Sequence, residues 1–403
     1  MSTEPSTGPT TEPSTEPSTG RELHLNLHMV GGAMGVHPAA WREPGSDPYG
    51  FARVETWVAA AQLAERGLMD AVFLSDTPGI FGEIDTSPHG AYYHEPTLIL
   101  TAIAGATSRI GLIATASTTS NEPYNIARRF KSLDVLSGGR AGWNAVTTYI
   151  PQVVANFGGS GLAPRTDRYA RAEEFVDIVK ALWHSWEPEA LVADVHTGRF
   201  TDPGRLRPIS HRGEHFSVRG PLPLPPSAQG HPLVVQAGAS EPGRELAGRT
   251  ADVVFSGAKT PDVAHAYAAD VRARAERHGR DPRSVKILPG LMTTVADSRR
   301  EALNRLRRLD ELAGHAPWRG AHIEAIGTPE QVADVAEEWF VSGAADGFTL
   351  MPDVFADGLA AFVELVVPIL QKRGVYRSSY RGSTLREHYG LPHPYPAPAP
   401  AAV

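Results

Sequence analysis

The chain has 403 residues, 41% of them hydrophobic and 21% charged, with a formal net charge of −7. This is an ordinary globular balance without a basic stripe, which excludes nucleic acid as a partner, and no apolar run approaches the roughly 20 residues that a membrane-spanning helix needs. Cysteine is absent, which excludes disulfides, thiolate catalysis and cysteine metal sites.

Residues 1–20 are nearly all Ser, Thr, Glu, Pro and Gly, with TEPST at Thr3–Thr7 and again at Thr11–Thr15. Such a segment buries nothing and is expected to be a disordered tail. It has neither a positive start nor an apolar core, so it does not read as a secretory signal, and a cytoplasmic location is expected. Glu22–Met29 alternates with period two and reads as a strand. Phe51, Val54, Trp57, Val58 and Ala61 recur at helical spacing and stop at Gly67. Asp70–Asp76 is a continuous apolar strand, EPTLILTAIAGAT a short helix, and Arg109–Ser117 a third strand. EPYNIARRFKSLDVLSGG is a helix with Pro123 near its start and Gly138–Gly139 at its end. RAGWNAVT is a fourth strand.

Phe175, Ile178, Val179, Leu182, Trp183 and Trp186 then form one apolar helical stripe. A Pro/Gly-rich excursion occupies 187–230. PLVVQAG and ADVVFSG are strands on either side of the helix SEPGRELAGRT. Val285–Val295 is a seventh strand between two Arg/Ala-rich helices. TPEQVADVAEEWF opens a helix with a capping box from Thr328 to Gln331. Ala345–Pro352 is the eighth strand, and LAAFVELVVPILQKRG the last helix. Eight strands, each followed by a helix, predict an α/β fold of the (β/α)8 TIM-barrel type with insertions, spanning 21–390, followed by a Pro/Ala-rich tail at 391–403. The rival, a doubly wound sheet, would carry a Gly-rich dinucleotide turn after its first strand; MVGGAMGV lacks that spacing.

In a barrel, chemistry sits at the C-terminal strand ends. Those ends hold His28, His37, Trp41, Arg42, Asp76, Ser117, Thr118, Asn121, Asn144, Gly238, Ala239, Ser240 and Asp353. Hydroxyls, amides and small residues dominate. No metal site is expected: His24 and His28 share a strand face but stand about 13 Å apart, too far for one ion. A glycosidase would need two neighbouring carboxylates, and nothing pairs Asp76 with Asp353. The set suits a large organic cofactor bearing a phosphate. QAGASEPGRELAGR ends a strand, brings backbone close through small residues and starts a helix whose free N–H groups face an anion, with Gly243 and Arg244 at its first turn.

These residues, together with DAVFLSD, IGLIATASTTSNEPYNIARRFKSLDVLSGGRAGWNAVTT, RYARAEEFVDIVKALWHSW and RGVYRSSYRGSTLREHYG, resemble the flavin-dependent monooxygenases of the bacterial-luciferase-like superfamily. The similarity is to the group of nitrilotriacetate monooxygenase, dibenzothiophene sulfone monooxygenase and the pristinamycin IIA synthase larger subunit, over most of Leu23–Gly390. The resemblance implies a two-component reaction. A separate NAD(P)H:FMN reductase supplies reduced FMN, and this chain uses it with O2 to oxygenate a small organic substrate through a flavin C4a-(hydro)peroxide. An F420-dependent oxidoreductase and a non-catalytic flavin-binding subunit are the alternatives. The group's FMN contacts carry over to Asp76, Ser117 or Thr118, Tyr169 and Ser240. Arg165 stands where the group has His, and a guanidinium can grip a phosphate bidentately. His28 or His37 is the expected proton-transfer residue, and Trp41, Arg42, Phe81 and Asn121 the expected substrate side. A homo-oligomer, dimer or tetramer, is usual in the superfamily.

Trp143 and Asn144 alternate across a strand and must therefore face opposite sides. Asn144 is expected to satisfy the flavin ring edge with both a donor and an acceptor, and Trp143 to pack between barrel and helices.

Overall fold

The computed structural model describes residues 21–30, 34–80, 94–314 and 320–395; the expected tail at 1–20 and the candidate Phe81 lie outside them. In chain order the strands of the main sheet are β1 (His24–Met29), β2 (Ala71–Leu74), β3 (Gly111–Ser117), β4 (Ala141–Val146), β5 (Leu233–Gln236), β6 (Val253–Ser256), β7 (Lys286–Val295), β8 (Ile323–Gly327) and β9 (Gly347–Pro352). All pairings are parallel. The order β1-β2-β3-β4-β5-β6-β7-β9 returns from β9 to β1 and closes an eight-stranded barrel. These are the eight strands expected from the sequence.

The ninth strand, β8, is a correction. AHIEAIG is short and Glu324 interrupts its apolar residues, so the sequence pattern does not announce a strand there. β7 explains its place. The first half of β7 pairs with β6, from Val253↔Lys286 to Ser256↔Pro289. The second half pairs on that side with β8, from Leu291↔Ile323 to Val295↔Gly327. Gly290 stands at this handover, and a Cβ there would lie 2.7 Å from Nδ1 of His322 and 3.0 Å from Sδ of Met351.

Helices α1 (Val54–Arg66), α2 (Pro96–Ala106), α3 (Pro123–Leu136), α4 (Arg165–Trp183), α5 (Glu241–Thr250), α6 (Pro261–Arg277), α7 (Arg299–Ala313) and α8 (Pro329–Val341) follow the strands, and helical turns continue from Phe355 to Lys372 through a π-helical stretch, Phe362–Val366. The Thr328 capping box forms as expected. The excursion folds into two small antiparallel hairpins. The carboxylate of Glu174 on α4 holds the second one, through Nε2 of His211 at 2.8 Å and the N–H groups of His215 and Phe216 at 2.9 and 3.1 Å.

Two apolar layers make the core. One lies between barrel and helices and contains Trp143, whose ring packs 6.0 Å from Phe130, 5.9 Å from Phe175 and 6.1 Å from Trp183. The other fills the lower barrel interior, where Leu385, Tyr389 and Leu391 from the C-terminal segment meet Phe73, Ile113 and Leu233. Tyr389 donates to Oδ1 of Asn26 at 2.6 Å. Leu391 thus belongs to a plug that shuts the bottom of the barrel, and the hydroxyl of Tyr395 donates to the Trp183 carbonyl at 3.3 Å. The segment expected as a Pro/Ala-rich tail from 391 is thus packed against the barrel at Leu391 and Tyr395.

Candidate functional site

Above the plug, a cavity of about 330 Å³ opens at the C-terminal strand ends. His28, Phe73, Asp76, Thr115, Ser117, Asn144, Phe255 and Met351 line it. Asn144 is 3% exposed. Its Nδ2 donates to Oγ1 of Thr115 at 2.9 Å, and its Oδ1 is buried without a protein partner. A buried amide oxygen is costly to leave unmatched, so this atom awaits a donor from whatever fills the cavity. Ser117 shares a 2.7 Å hydrogen bond with the Thr148 hydroxyl and accepts from Thr119 N–H at 3.1 Å. Thr118, the residue after β3, does not line the cavity and donates to the Val146 carbonyl at 3.1 Å. Alternation thus makes Ser117 the cavity residue of the pair. Asn121 folds back, its Nδ2 donating to the Ser117 carbonyl at 2.8 Å, and lines neither the cavity nor the hollow beside it.

Asp76 has its carboxyl pushed up to about 6, mainly by burial and then by Glu95, against the pull of Arg129. Its native form therefore holds a proton that the unfolded chain releases between about pH 4 and 6. Stability falls as pH rises through that window and stays lower above it. Asp76→Asn should consequently raise the unfolding free energy at pH 7 by about 1–2 kcal/mol and flatten the pH 4–6 slope, read from urea melts at several pH values.

A second hollow, of about 280 Å³, adjoins the first; Val146, Thr147, Tyr149 and Ala237 line both. Arg165, Arg168 and Tyr169 from the start of α4 face Gly238, Ala239 and Ser240 across it. Ser240 caps α5, accepting from Gly243 N–H at 3.3 Å, and bonds the Tyr169 hydroxyl at 3.3 Å. A Cβ on Gly243 would lie 2.9 Å from both Cα of Gly238 and Oη of Tyr169. Only two glycines let the strand end and the helix start approach this closely. The result is a helix N-terminus, two hydroxyls and two guanidiniums around one space, the chemistry of a phosphate site. Arg168 also donates to the Thr148 carbonyl at 2.7 Å, tying this hollow to the Ser117–Thr148 pair.

Arg244 is not brought to the hollow. From the first turn of α5 it pairs with Glu241 at 3.1 Å and Asp270 at 3.0 Å, because i,i+3 spacing puts Glu241 beside it. His37, Trp41 and Arg42 are also drawn elsewhere. The chain after β1 hydrogen-bonds along the end of β9, Val36 N–H to Pro352 at 2.9 Å and His37 N–H to Asp353 at 3.2 Å. That carries the segment to α7, where His37 pairs with Asp310 at 3.2 Å and Arg42 donates to the Leu312 carbonyl. His37 lines a separate small cavity with Asp310 and Asp353.

His28 does face the main cavity, with Nδ1 buried and unpartnered. Burial, and then His322, hold it down to about 4, so it is neutral at physiological pH. His322 is the residue that sequence reasoning missed. It enters the cavity at the handover of β7, its ring 5.6 Å from Phe255 and its Nδ1 also unpartnered.

The sequence matches the luciferase-like monooxygenase family over residues 31–339. It is 37% identical to N-acetyl-S-(2-succino)cysteine monooxygenase of Bacillus subtilis (strain 168), over 93% of this chain and 98% of that one. It is 36% identical to nitrilotriacetate monooxygenase component A of Aminobacter aminovorans, with 93% and 98% covered. The structure of a riboflavin lyase with modified FMN and riboflavin superposes with a TM-score of 0.84 at 30% identity, covering 93% of this chain and 97% of that one. The chain belongs to the luciferase-like monooxygenase family. This monooxygenase is flavin-dependent, with FMN as cofactor and O2 as co-substrate, and it acts with a separate reductase component. The luciferase-like barrel here suits that cofactor on its own geometry: Asn144, with its unmatched oxygen, lines the cavity, and the cationic hollow shares a wall with it. Among the described residues of the monooxygenase, no helix is long and apolar enough to cross a membrane, and no group of three or more His, Asp or Glu is placed to hold a metal ion.

Proposed function

We propose that this chain oxygenates a small organic substrate in the cavity above the barrel plug, with Ser240, Arg165, Arg168 and Tyr169 holding the FMN phosphate. Asn144 and Ser117 meet the ring edge, and Asp76 borders the same space. The observation that carries the reading is the shared wall between a polar, cationic hollow and a deeper cavity with an unmatched amide oxygen. Bound reduced FMN supplies the electrons that activate O2. The protein's part is to orient and to keep dry: Phe73, Phe255 and Met351 exclude water from the inner end. His28, neutral and with a free Nδ1, is placed to accept or give a proton there; His37, committed to Asp310, is not.

A soluble NAD(P)H:FMN reductase is the proposed electron source and a cytoplasmic setting the proposed location. A homo-oligomer is the proposed assembly, supported by Leu98 and Leu136, which stand exposed on α2 and α3. The test is isotopic. With an FMN reductase, NADH and 18O2, a product of a candidate substrate should carry one 18O atom only when this chain is present. Turnover that proceeds equally without the chain, or with the label absent from product, overturns the reading.

A further inference from the structure

The cavity offers different chemistry at its two ends. Toward β3 and β4 it presents Thr115, Ser117 and Asn144 and adjoins the phosphate hollow. The residues that line both spaces, Val146, Thr147, Tyr149 and Ala237, end or follow β4 and β5, whereas His28, Phe73, Phe255, His322 and Met351 come from β1, β2, β6, the residue before β8, and β9. If the hollow holds the phosphate, the flavin ring takes the end beside it, and the imidazole end is left to the substrate. We propose that this end selects a neutral, apolar-bodied substrate bearing one uncharged hydrogen-bonding group, such as a phenol or an amide, over a carboxylate. The proposal rests on the FMN reading above and deepens it.

Two observations carry it. First, the imidazoles of His28 and His322 both line this end, each with a buried Nδ1 that has no hydrogen-bond partner, that of His322 lying against Gly290. A neutral imidazole offers one N–H and one lone pair, so the two rings together complement a group that both donates and accepts. Burial lowers both histidines below their ordinary range, which keeps them from serving as cations. Second, no Lys or Arg is among the described residues that line the cavity. Lys259, whose charge reaches His322, is itself exposed. Among the described lining groups a carboxylate would find no counter-ion to offset the water it loses, and it would share the space with Asp76. Phe73, Phe255 and the Met351 thioether instead form a bed for an aromatic or aliphatic body.

The test is calorimetric titration of the chain, with and without bound FMN, using 2-naphthol, naphthalene-2-carboxylate and nitrilotriacetate as probes at neutral pH. The naphthol should bind at least about tenfold more tightly than either carboxylate. His28→Phe and His322→Phe, checked for fold by circular dichroism, should each weaken naphthol about fivefold or more and leave the carboxylates unchanged, since each removes one hydrogen-bonding nitrogen. No naphthol binding, a carboxylate bound as tightly as naphthol, or naphthol affinity unmoved in both folded variants overturns the proposal. Failure of FMN to bind would instead strike the flavin reading, and the flavin-free titration still decides the preference between probes.

Discussion

Ser240→Asp should lower FMN affinity by about 100-fold and leave riboflavin affinity within about threefold. The substitution isolates charge from structure. Ser240 caps α5 through the Gly243 N–H at 3.3 Å, and aspartate caps a helix as well as serine does, so α5 should keep its start. What changes is the sign of the field. A carboxylate would stand where the helix N-terminus, Arg165 and Arg168 now gather positive charge. Two unit charges about 4 Å apart repel by about 4 kcal/mol at an effective dielectric of 20. Relaxation and solvent reduce this to about 2–3 kcal/mol, which is about 100-fold in affinity. Riboflavin has no phosphate and serves as the internal control. Fluorescence titration of both flavins against parent and variant reads the result. An unchanged FMN constant, or an equal loss for both flavins, would remove the phosphate from this hollow.

The largest effect on stability is expected at Trp143. Replacing it with alanine should cost about 3–5 kcal/mol, the range for deleting a fully buried large aromatic. The side chain is 0% exposed and touches aromatic rings from α3 and α4. Its Nε1 donates to the Ala116 carbonyl at 3.0 Å, so the truncation also strips a buried acceptor of its donor. Trp143→Phe keeps most of the volume and loses the hydrogen bond, and should cost about 1–2 kcal/mol. Equilibrium urea denaturation separates the cases. A loss below about 1 kcal/mol for the alanine variant would mean that the helices close over the gap, and that this ring does not tie them to the barrel.

Much of the molecule was legible because its signals are local. Trp143 and Asn144 follow from strand alternation alone, which assigns one neighbour to the helix layer and the other to the interior. The turn from Gly238 to Gly243 was legible because a capping serine and closely spaced glycines state a backbone approach directly. Less was legible where a side chain's partner comes from elsewhere in the chain. Arg244 reads as a phosphate ligand until Asp270 on α6 is seen to claim it. His37 reads as a strand-end residue until its segment is found bonded along β9 and packed on α7. His322 gave no signal, because it precedes a short strand broken by a glutamate and reaches the cavity through a change of strand neighbours. Leu385, Tyr389 and Leu391 plug the barrel from a segment whose proline-rich sequel reads as a tail.

The handover at Pro289–Gly290 has a consequence for how such a barrel acquires its preferences. Loops above the mouth can be exchanged without disturbing the hydrogen-bonded wall, and they are the usual place to look for selectivity. Here an imidazole reaches the interior through the wall itself, in room left by a residue with no side chain. Selectivity of this kind is inherited with the staves rather than grafted onto them, and a single methyl group at residue 290 would force the imidazole to shift.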